Sequence, residues 1–335
     1  MLKNKASLKD VCREASVSEA TVSRVINNSP LVREATRQRV IEAVEKLGYT
    51  PNAAARNLSR SKTDTIGIVF HQMSSGFFAS VMAGIDKAAR DHGYHVLSVF
   101  PHSSTDACDT CLNLFKEARV DGLVLLDPAL NMDTILRLKK HKRPMVLIQR
   151  DLDDDQVNTV SVKNKEGAYE AVRHLVGHGY KDLLIILGPE GAPDSQLRTE
   201  GCKQALSEPS AAGVRIHYIN GYYHPDRALE AFRDYREKHG LPRGIFCLND
   251  AMALSVLKEL RTTGVKVPEE VAIIGFDGIE CADYVDLTTV ETPMMALGEE
   301  SVRSLMKRIA NPESGATHTR LDVVLRCRAT CGCAG

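Results

Sequence analysis

The sequence predicts an N-terminal all-α helix-turn-helix domain followed by a two-lobed α/β core with parallel sheets. Three observations predict it. Residues 1–62 hold 12 Lys/Arg against 6 Asp/Glu and the remainder 31 against 37, so a net charge of zero hides a basic head on an acidic body. Short capped helical patterns fill the head. From Thr65 onward, unbroken apolar runs alternate with helical stretches, the mark of parallel strands covered on both faces. A chain of 335 residues is long enough for two or three cores.

The head reads as three helices. Ser7 is placed to cap the first, with Leu8, Val11 and Cys12 on one face. Ser16-Val17-Ser18 breaks the chain, and Ser18 caps a second helix whose Val22, Val25 and Ile26 face inward. Glu19, Ala20, Ser23, Arg24 and Asn27 are left outside. Two short helices joined by about four residues form a helix-turn-helix, whose second helix meets base edges. A third helix runs from near Arg33 to Leu47, with the stripe Val40, Ile41, Val44 and Leu47, and Gly48 stops it. After Gly48-Tyr49-Thr50-Pro51-Asn52, Asn52 is placed to cap a helix of under two turns carrying Ala55, Arg56 and Leu58. Such a helix is too short to stand alone in water. It reads as a hinge that orders on DNA, with Leu58 as an apolar wedge for the minor groove.

In the body the expected strands are Thr65–Phe70, His95–Phe100, Gly122–Leu126, Met145–Ile148, Asn158–Val162, Leu183–Leu187, Val214–Ile219, Ile245–Leu248 and Val271–Phe276. Expected helices include Phe77–Arg90, Lys165–Val176, Pro225–Lys238 and Ala251–Thr262. Two such series make two similar lobes. The expected division is a DNA-binding domain at 1–50, a hinge and linker at 51–63, and a core at 64–335. The first lobe takes about 64–161 and 292–320, the second about 163–290 and 321–330, with a last strand near Leu321–Leu325. Open α/β lobes bind ligands at the carboxyl ends of their strands, and two facing lobes make a cleft. Asn249 and Asp277 follow or end strands there, and Ser74, Ser75, Phe77, Phe78 and Tyr223 are further candidates.

These pieces carry a resemblance. Leu8-Lys9-Asp10-Val11, Thr21-Val22-Ser23-Arg24-Val25-Ile26-Asn27, Gly48-Tyr49-Thr50-Pro51-Asn52, Ala55-Arg56-Asn57-Leu58 and Lys62-Thr63-Asp64-Thr65-Ile66-Gly67-Ile68-Val69 make the chain similar to LacI-type bacterial transcription regulators, as far as about Arg328. The resemblance implies a core like the periplasmic sugar-binding proteins and a homodimer on double-stranded operator DNA. It implies base or backbone contacts from Ser18, Thr21, Ser23, Asn27, Tyr49 and Asn52, a guanine contact from Arg24, and operator choice by Glu19 and Ala20. The paired hinge helices would open the central minor groove. It places Arg198 where the family contacts its small-molecule effector. Gln149 stands where many members have Asp. With Arg150 it shifts expectation toward a sugar acid or sugar phosphate over a neutral sugar. A repressor under effector control is expected, as a dimer rather than a tetramer since no heptad tail follows Arg328. A phosphoprotein co-repressor is an alternative within the same class, and a pure sugar-binding protein a remoter one.

No apolar run reaches membrane-span length and the N-terminus lacks a signal-peptide apolar segment, so a cytoplasmic protein is expected. Cys108-Asp109-Thr110-Cys111 has redox or zinc spacing, and Cys327, Cys331 and Cys333 cluster near the end. Both read as free thiols. The eleven His residues read as lacking paired-ligand spacing, and no nucleophile elbow or phosphate loop appears. Neither metal, cofactor nor enzymatic activity is expected.

Overall fold

The computed structural model describes residues 6–26, 29–50, 62–70, 76–101, 104–126, 130–152 and 156–333. The chain divides into two compact units, Met1–Thr63 and Asp64–Gly335.

The first unit holds α1 (Leu8–Ala15), α2 (Glu19–Ile26) and α3 (Glu34–Leu47). Ser7 starts α1 with a reciprocal cap. Its hydroxyl accepts from the Asp10 N–H, and its own N–H donates to the Asp10 carboxylate at 2.8 Å. Ser16, in the left-handed region, turns the chain toward α2. Ser18 accepts from the Thr21 N–H at 3.3 Å. Gly48 at φ +59° ends α3, a conformation glycine adopts without cost. Val11, Ala15, Val22, Val25, Val40 and Ala43 form the core. Ile41 was expected in that core but is 37% exposed. The inward row on α3 is 40, 43, 44 and 47, the i, i+3, i+4, i+7 set, and position 41 lies beside it.

The second unit holds two six-stranded sheets. The first comprises β1 (Thr65–Val69), β2 (His95–Val99), β3 (Gly122–Leu125), β4 (Met145–Ile148), β5 (Asn158–Val162) and β11 (His318–Leu321). Their order is β11-β5-β4-β3-β1-β2, parallel throughout. The second comprises β6 (Asp182–Leu187), β7 (Arg215–Asn220), β8 (Gly244–Cys247), β9 (Ala272–Asp277), β10 (Thr288–Glu291) and β12 (Val324–Arg326). Their order is β12-β10-β9-β8-β6-β7, with β12 antiparallel to β10 and the rest parallel. Helices α4 (Gly76–Asp91), α5 (Ser104–Lys116), α6 (Met132–Lys140) and α12 (Met294–Ala310) belong with the first sheet. Helices α7 (Asn164–Gly177), α8 (Pro193–Leu206), α9 (Pro225–His239), α10 (Asp250–Thr262) and the short α11 (Glu280–Asp283) belong with the second.

The strands are apolar because both faces are covered: β3, β4, β5, β8 and β9 are buried along their whole length. The chain passes between the sheets three times, after β5, after β10 and after β11. The single last strand expected near Leu321–Leu325 is two. β11 joins the first sheet and β12 the second, and the two residues between them carry the third crossing. Among the described residues, no helix is long and apolar enough to cross a membrane.

Candidate functional sites

In the first unit, α2 separates two kinds of residue. Val22 and Val25 are buried, whereas Ser18, Glu19, Ala20, Ser23 and Arg24 are exposed and Thr21 is half-buried. The Ser18 and Thr21 hydroxyls hydrogen-bond each other at 3.0 Å, fixing the first turn. Tyr49 is half-buried against the three-helix core rather than fully outside it. Asn27, Asn52, Ala55, Arg56 and Leu58 lie outside the described residues.

In the second unit, the ends of β4, β6, β7, β8 and β9 deliver a buried polar cluster. At its centre is Arg198 on α8, 2% exposed. Its Nε donates to Asn164 Oδ1 at 2.8 Å. Its Nη1 donates to Leu248 O and to Asp277 Oδ1, the latter at 3.3 Å. Nη2 lies 3.9 Å from Asp194. The guanidinium stacks on Phe276, 3.7 Å from the ring centre. Tyr223 donates its hydroxyl proton to Asp194 at 2.8 Å. Asn249 caps α10 through its side-chain oxygen and donates from Nδ2 to Tyr223 O at 3.4 Å. Asn164 donates to Gln149 Oε1 at 3.1 Å. A continuous run of hydrogen bonds therefore leads from the end of β4 in the first lobe to Arg198 in the second.

Burial shapes the acid chemistry here. It pushes the Asp277 carboxyl up to about 8, against the pull of Arg198. Burial likewise pushes Asp250 up to about 7, against three hydrogen bonds to its carboxylate. Those come from Thr289 Oγ1 at 2.5 Å and from the Gly278 and Ile279 N–H groups at 2.7 and 2.9 Å. The backbone is strained at the same place. Gln149, Tyr222, Tyr223 and Asp277 all have positive φ, at 58°, 55°, 61° and 120°. Non-glycine residues held there cluster where a site must aim side chains.

Sequence-predicted residues divide accordingly. The cluster brings together Gln149, Arg198, Tyr223, Asn249 and Asp277. Arg150 donates to Leu130 O at 2.5 Å. Phe77 is buried on α4 and Phe78 half-buried beside it, in an aromatic set with Phe70 and Phe100. Ser74 and Ser75 lie outside the described residues. Sequence reading missed Asn164 and Asp194. Asn164 lies two residues past the end of β5, and Asp194 lies one turn before Arg198, where helical spacing was the available signal.

Sequence reading also missed a pair of histidines. His174 and His178 are an i, i+4 pair on α7 and its cap, and Cys331 and Cys333 lie beside them. Cys108 and Cys111 are buried in the first-lobe core.

Comparison with known proteins bears on the family and the fold. Residues 63–326 match the model of periplasmic binding proteins and sugar binding domain of LacI family. Residues 7–52 match that of bacterial regulatory proteins, lacI family. The transcriptional repressor PurR of Aliivibrio salmonicida is 34% identical over 307 residues, covering 91% of this chain and 92% of that protein. Catabolite control protein A of Priestia megaterium is 35% identical over 302 residues, covering 89% and 91%. Among solved structures, the transcriptional regulator CelR–cellobiose complex is 28% identical with a TM-score of 0.72, covering 97% and 99%. The Lac repressor dimer bound to operator shares the fold, with a TM-score of 0.87 at 24% identity, covering 98% and 99%. PurR, and CytR of Escherichia coli, 31% identical over 327 residues, are transcriptional repressors. With a helix-turn-helix ahead of a two-sheet core, and with both family models matched across nearly its whole length, the chain belongs to the lacI family of bacterial regulatory proteins.

Proposed function

We propose that this regulator is a cytoplasmic repressor, a homodimer on double-stranded operator DNA, released or engaged by a carbohydrate-derived effector bound around Arg198. The observation that carries this reading is the buried guanidinium of Arg198, held by Asn164, Asp194 and Asp277 at the strand ends of a two-lobed core. An Arg, neutral amides and carboxylates each bind sugar hydroxyls in pairs, and the solved CelR structure carries cellobiose. The role is binding rather than catalysis. In the head, the exposed Ser18, Glu19, Ala20, Ser23 and Arg24 are the proposed groove-facing residues, Arg24 to guanine. Asn27, Asn52, Ala55, Arg56 and Leu58 join them on the strength of the family resemblance.

The charge of the site revises the expected ligand. Asp194, Asp250 and Asp277 gather around one guanidinium, and the burial that pushes Asp250 and Asp277 toward their neutral forms penalises a further buried negative charge. Gln149 Nε2 is buried with no hydrogen-bond partner among the described residues, a donor that a ligand hydroxyl satisfies. The effector is therefore a neutral, hydroxyl-rich molecule in preference to a sugar acid or sugar phosphate. Calorimetry on the full chain with matched neutral and acidic sugars tests this. Tight binding of acidic sugars alone overturns it. The variant Arg198→Met, measured by DNA-binding anisotropy, should keep operator binding while losing at least about tenfold in effector response, from loss of charge-assisted hydrogen bonds worth about 1.5–3 kcal/mol. An unchanged response removes Arg198 from the site.

A further inference from the structure

We infer that His174, His178, Cys331 and Cys333 form a binding site for a divalent transition metal, zinc by preference, that clamps the C-terminal segment onto α7. One ligand atom from each of the four lies within 4.8 Å of every other. Cys333 Sγ is 3.5 Å from both His174 Nε2 and His178 Nε2. Tetrahedral zinc with sulfur at about 2.3 Å and imidazole nitrogen at about 2.05 Å spaces those two ligand types about 3.5 Å apart. Two thiolates and two imidazoles are the donor set of a closed zinc site, whereas calcium and magnesium require oxygen.

The fold holds the four residues in place without a metal. His174 and His178 are one helical turn apart and share a face of α7. The segment bearing the cysteines is stitched to the second sheet. Thr330 Oγ1 donates to Ile273 O at 2.8 Å and accepts from the Thr288 N–H at 2.9 Å, and Ile273 donates back to Thr330 O at 2.8 Å. Tyr180 donates to Cys331 O at 3.3 Å and stacks on His178. Gly332 turns the chain between the two cysteines at φ +92°, where an added Cβ would lie 2.5 Å from the Tyr180 hydroxyl. Glycine adopts this turn without strain and returns Cys333 to the histidines. Cys327, 3.8 Å from His174 Nε2, is a spare thiol at the rim. A groove of 320 Å³ lined by Glu170, Arg173, His174, Gly177, His178 and Leu325 gives an ion access to the histidine side.

Binding forms two sulfur–metal and two nitrogen–metal bonds. The two thiol protons pass to solvent, and no electron changes hands. The clamp joins positions far apart in sequence and fixes the segment just beyond β12, the strand reached by the third crossing between lobes. It lies at the opposite end of α7 from Asn164, the partner of Arg198.

The test uses the full chain, stripped of metal and held in reductant. Zinc titrated against a chromophoric chelator should bind at one equivalent per chain. Cobalt(II) should give the visible ligand-field bands of a tetrahedral site with a near-ultraviolet thiolate charge-transfer band. Cys333→Ser and His178→Gln, chosen because neither side chain is fully buried, should each weaken zinc binding by more than about 100-fold, since even an outer-shell partner is worth about 10–100-fold. Cys281→Ser, exposed and away from the cluster, should leave it unchanged. Zinc should also raise the unfolding temperature of the wild type and not of His178→Gln. No stoichiometric binding, an octahedral cobalt spectrum, full affinity in both variants, or mass loss showing a Cys331–Cys333 disulfide in reductant would each overturn the site.

Discussion

Asp277 ends β9 beside Arg198, and its carboxyl is held near 8 by burial, well above its ordinary 3.8. A folded value raised above the unfolded one means the folded state holds the extra proton. Stability from this group is complete below about pH 4 and is lost as pH rises through about 8, at up to about 1.4 kcal/mol per pH unit per group. Asp250, raised to about 7, acts in the same direction. Urea unfolding of the core, followed by circular dichroism from pH 5 to 8, should therefore show stability falling with pH. Asp277→Asn, which keeps an oxygen to accept from Arg198, should flatten that slope. A slope unchanged by the substitution would place the titration elsewhere. Single residues were legible where chemistry and position coincide. Asn249 and Asp277 announced themselves at strand ends, and Arg198 through the family resemblance. Asp194 did not, although its i, i+4 spacing to Arg198 is local, and Asn164 did not, because its contacts with Arg198 and Gln149 join distant parts of the chain. The histidine pair was missed for the same reason. An i, i+4 pair becomes a constellation only when two cysteines about 155 positions later are stitched beside it.

Elements were the most legible scale, because alternation of strand and helix follows from burying both faces of a parallel sheet. What the alternation does not encode is how closely helices approach. On α4 and α12, Gly84 and Gly298 face the partner backbone: a Cβ at Gly84 would lie 2.1 Å from Met295 O, and one at Gly298 would lie 2.2 Å from Val81 O. The same holds where Gly201 of α8 meets Lys165 O of α7. In an apolar sequence pattern these glycines look like weak helix positions. In the fold they are what lets two helices touch. Gly298→Ala gains helix propensity of about 1 kcal/mol but drives a methyl into a carbonyl, and overpacking of this kind costs about 1–3 kcal/mol or more. Net destabilisation is the expected result by denaturant unfolding, and a stabilised variant would show that the two helices part freely. The C-terminal strands were the least legible elements. Three or four residues are too few to carry periodicity, so β11 and β12 read as one.

At the scale of the molecule, one unit faces DNA and the other holds a polar cluster whose hydrogen-bonded path crosses between its lobes through Gln149 and Asn164. A ligand shifts the equilibrium between two arrangements of those lobes only by its unequal affinity for them. That requirement has a consequence independent of which arrangement binds operator. If the effector changes operator affinity by a given factor, operator must change effector affinity by the same factor, typically about 5–150-fold. The two factors can be measured separately on the full chain. One comes from operator anisotropy with and without saturating effector, the other from effector calorimetry with and without saturating operator. Equal factors, both weakening or both strengthening binding, fix whether the small molecule releases or recruits the repressor. Unequal factors would mean that a third component, such as a bound metal or a partner protein, enters one equilibrium and not the other. Gln149→Leu then tests the path, with effector affinity, which also loses the Gln149 Nε2 donor, measured apart from the coupling factor. It removes the amide that meets Asn164 across the lobes while leaving Arg198 with Asp194 and Asp277. If the lobes communicate along that hydrogen-bonded path, the coupling factor falls toward unity in both measurements together.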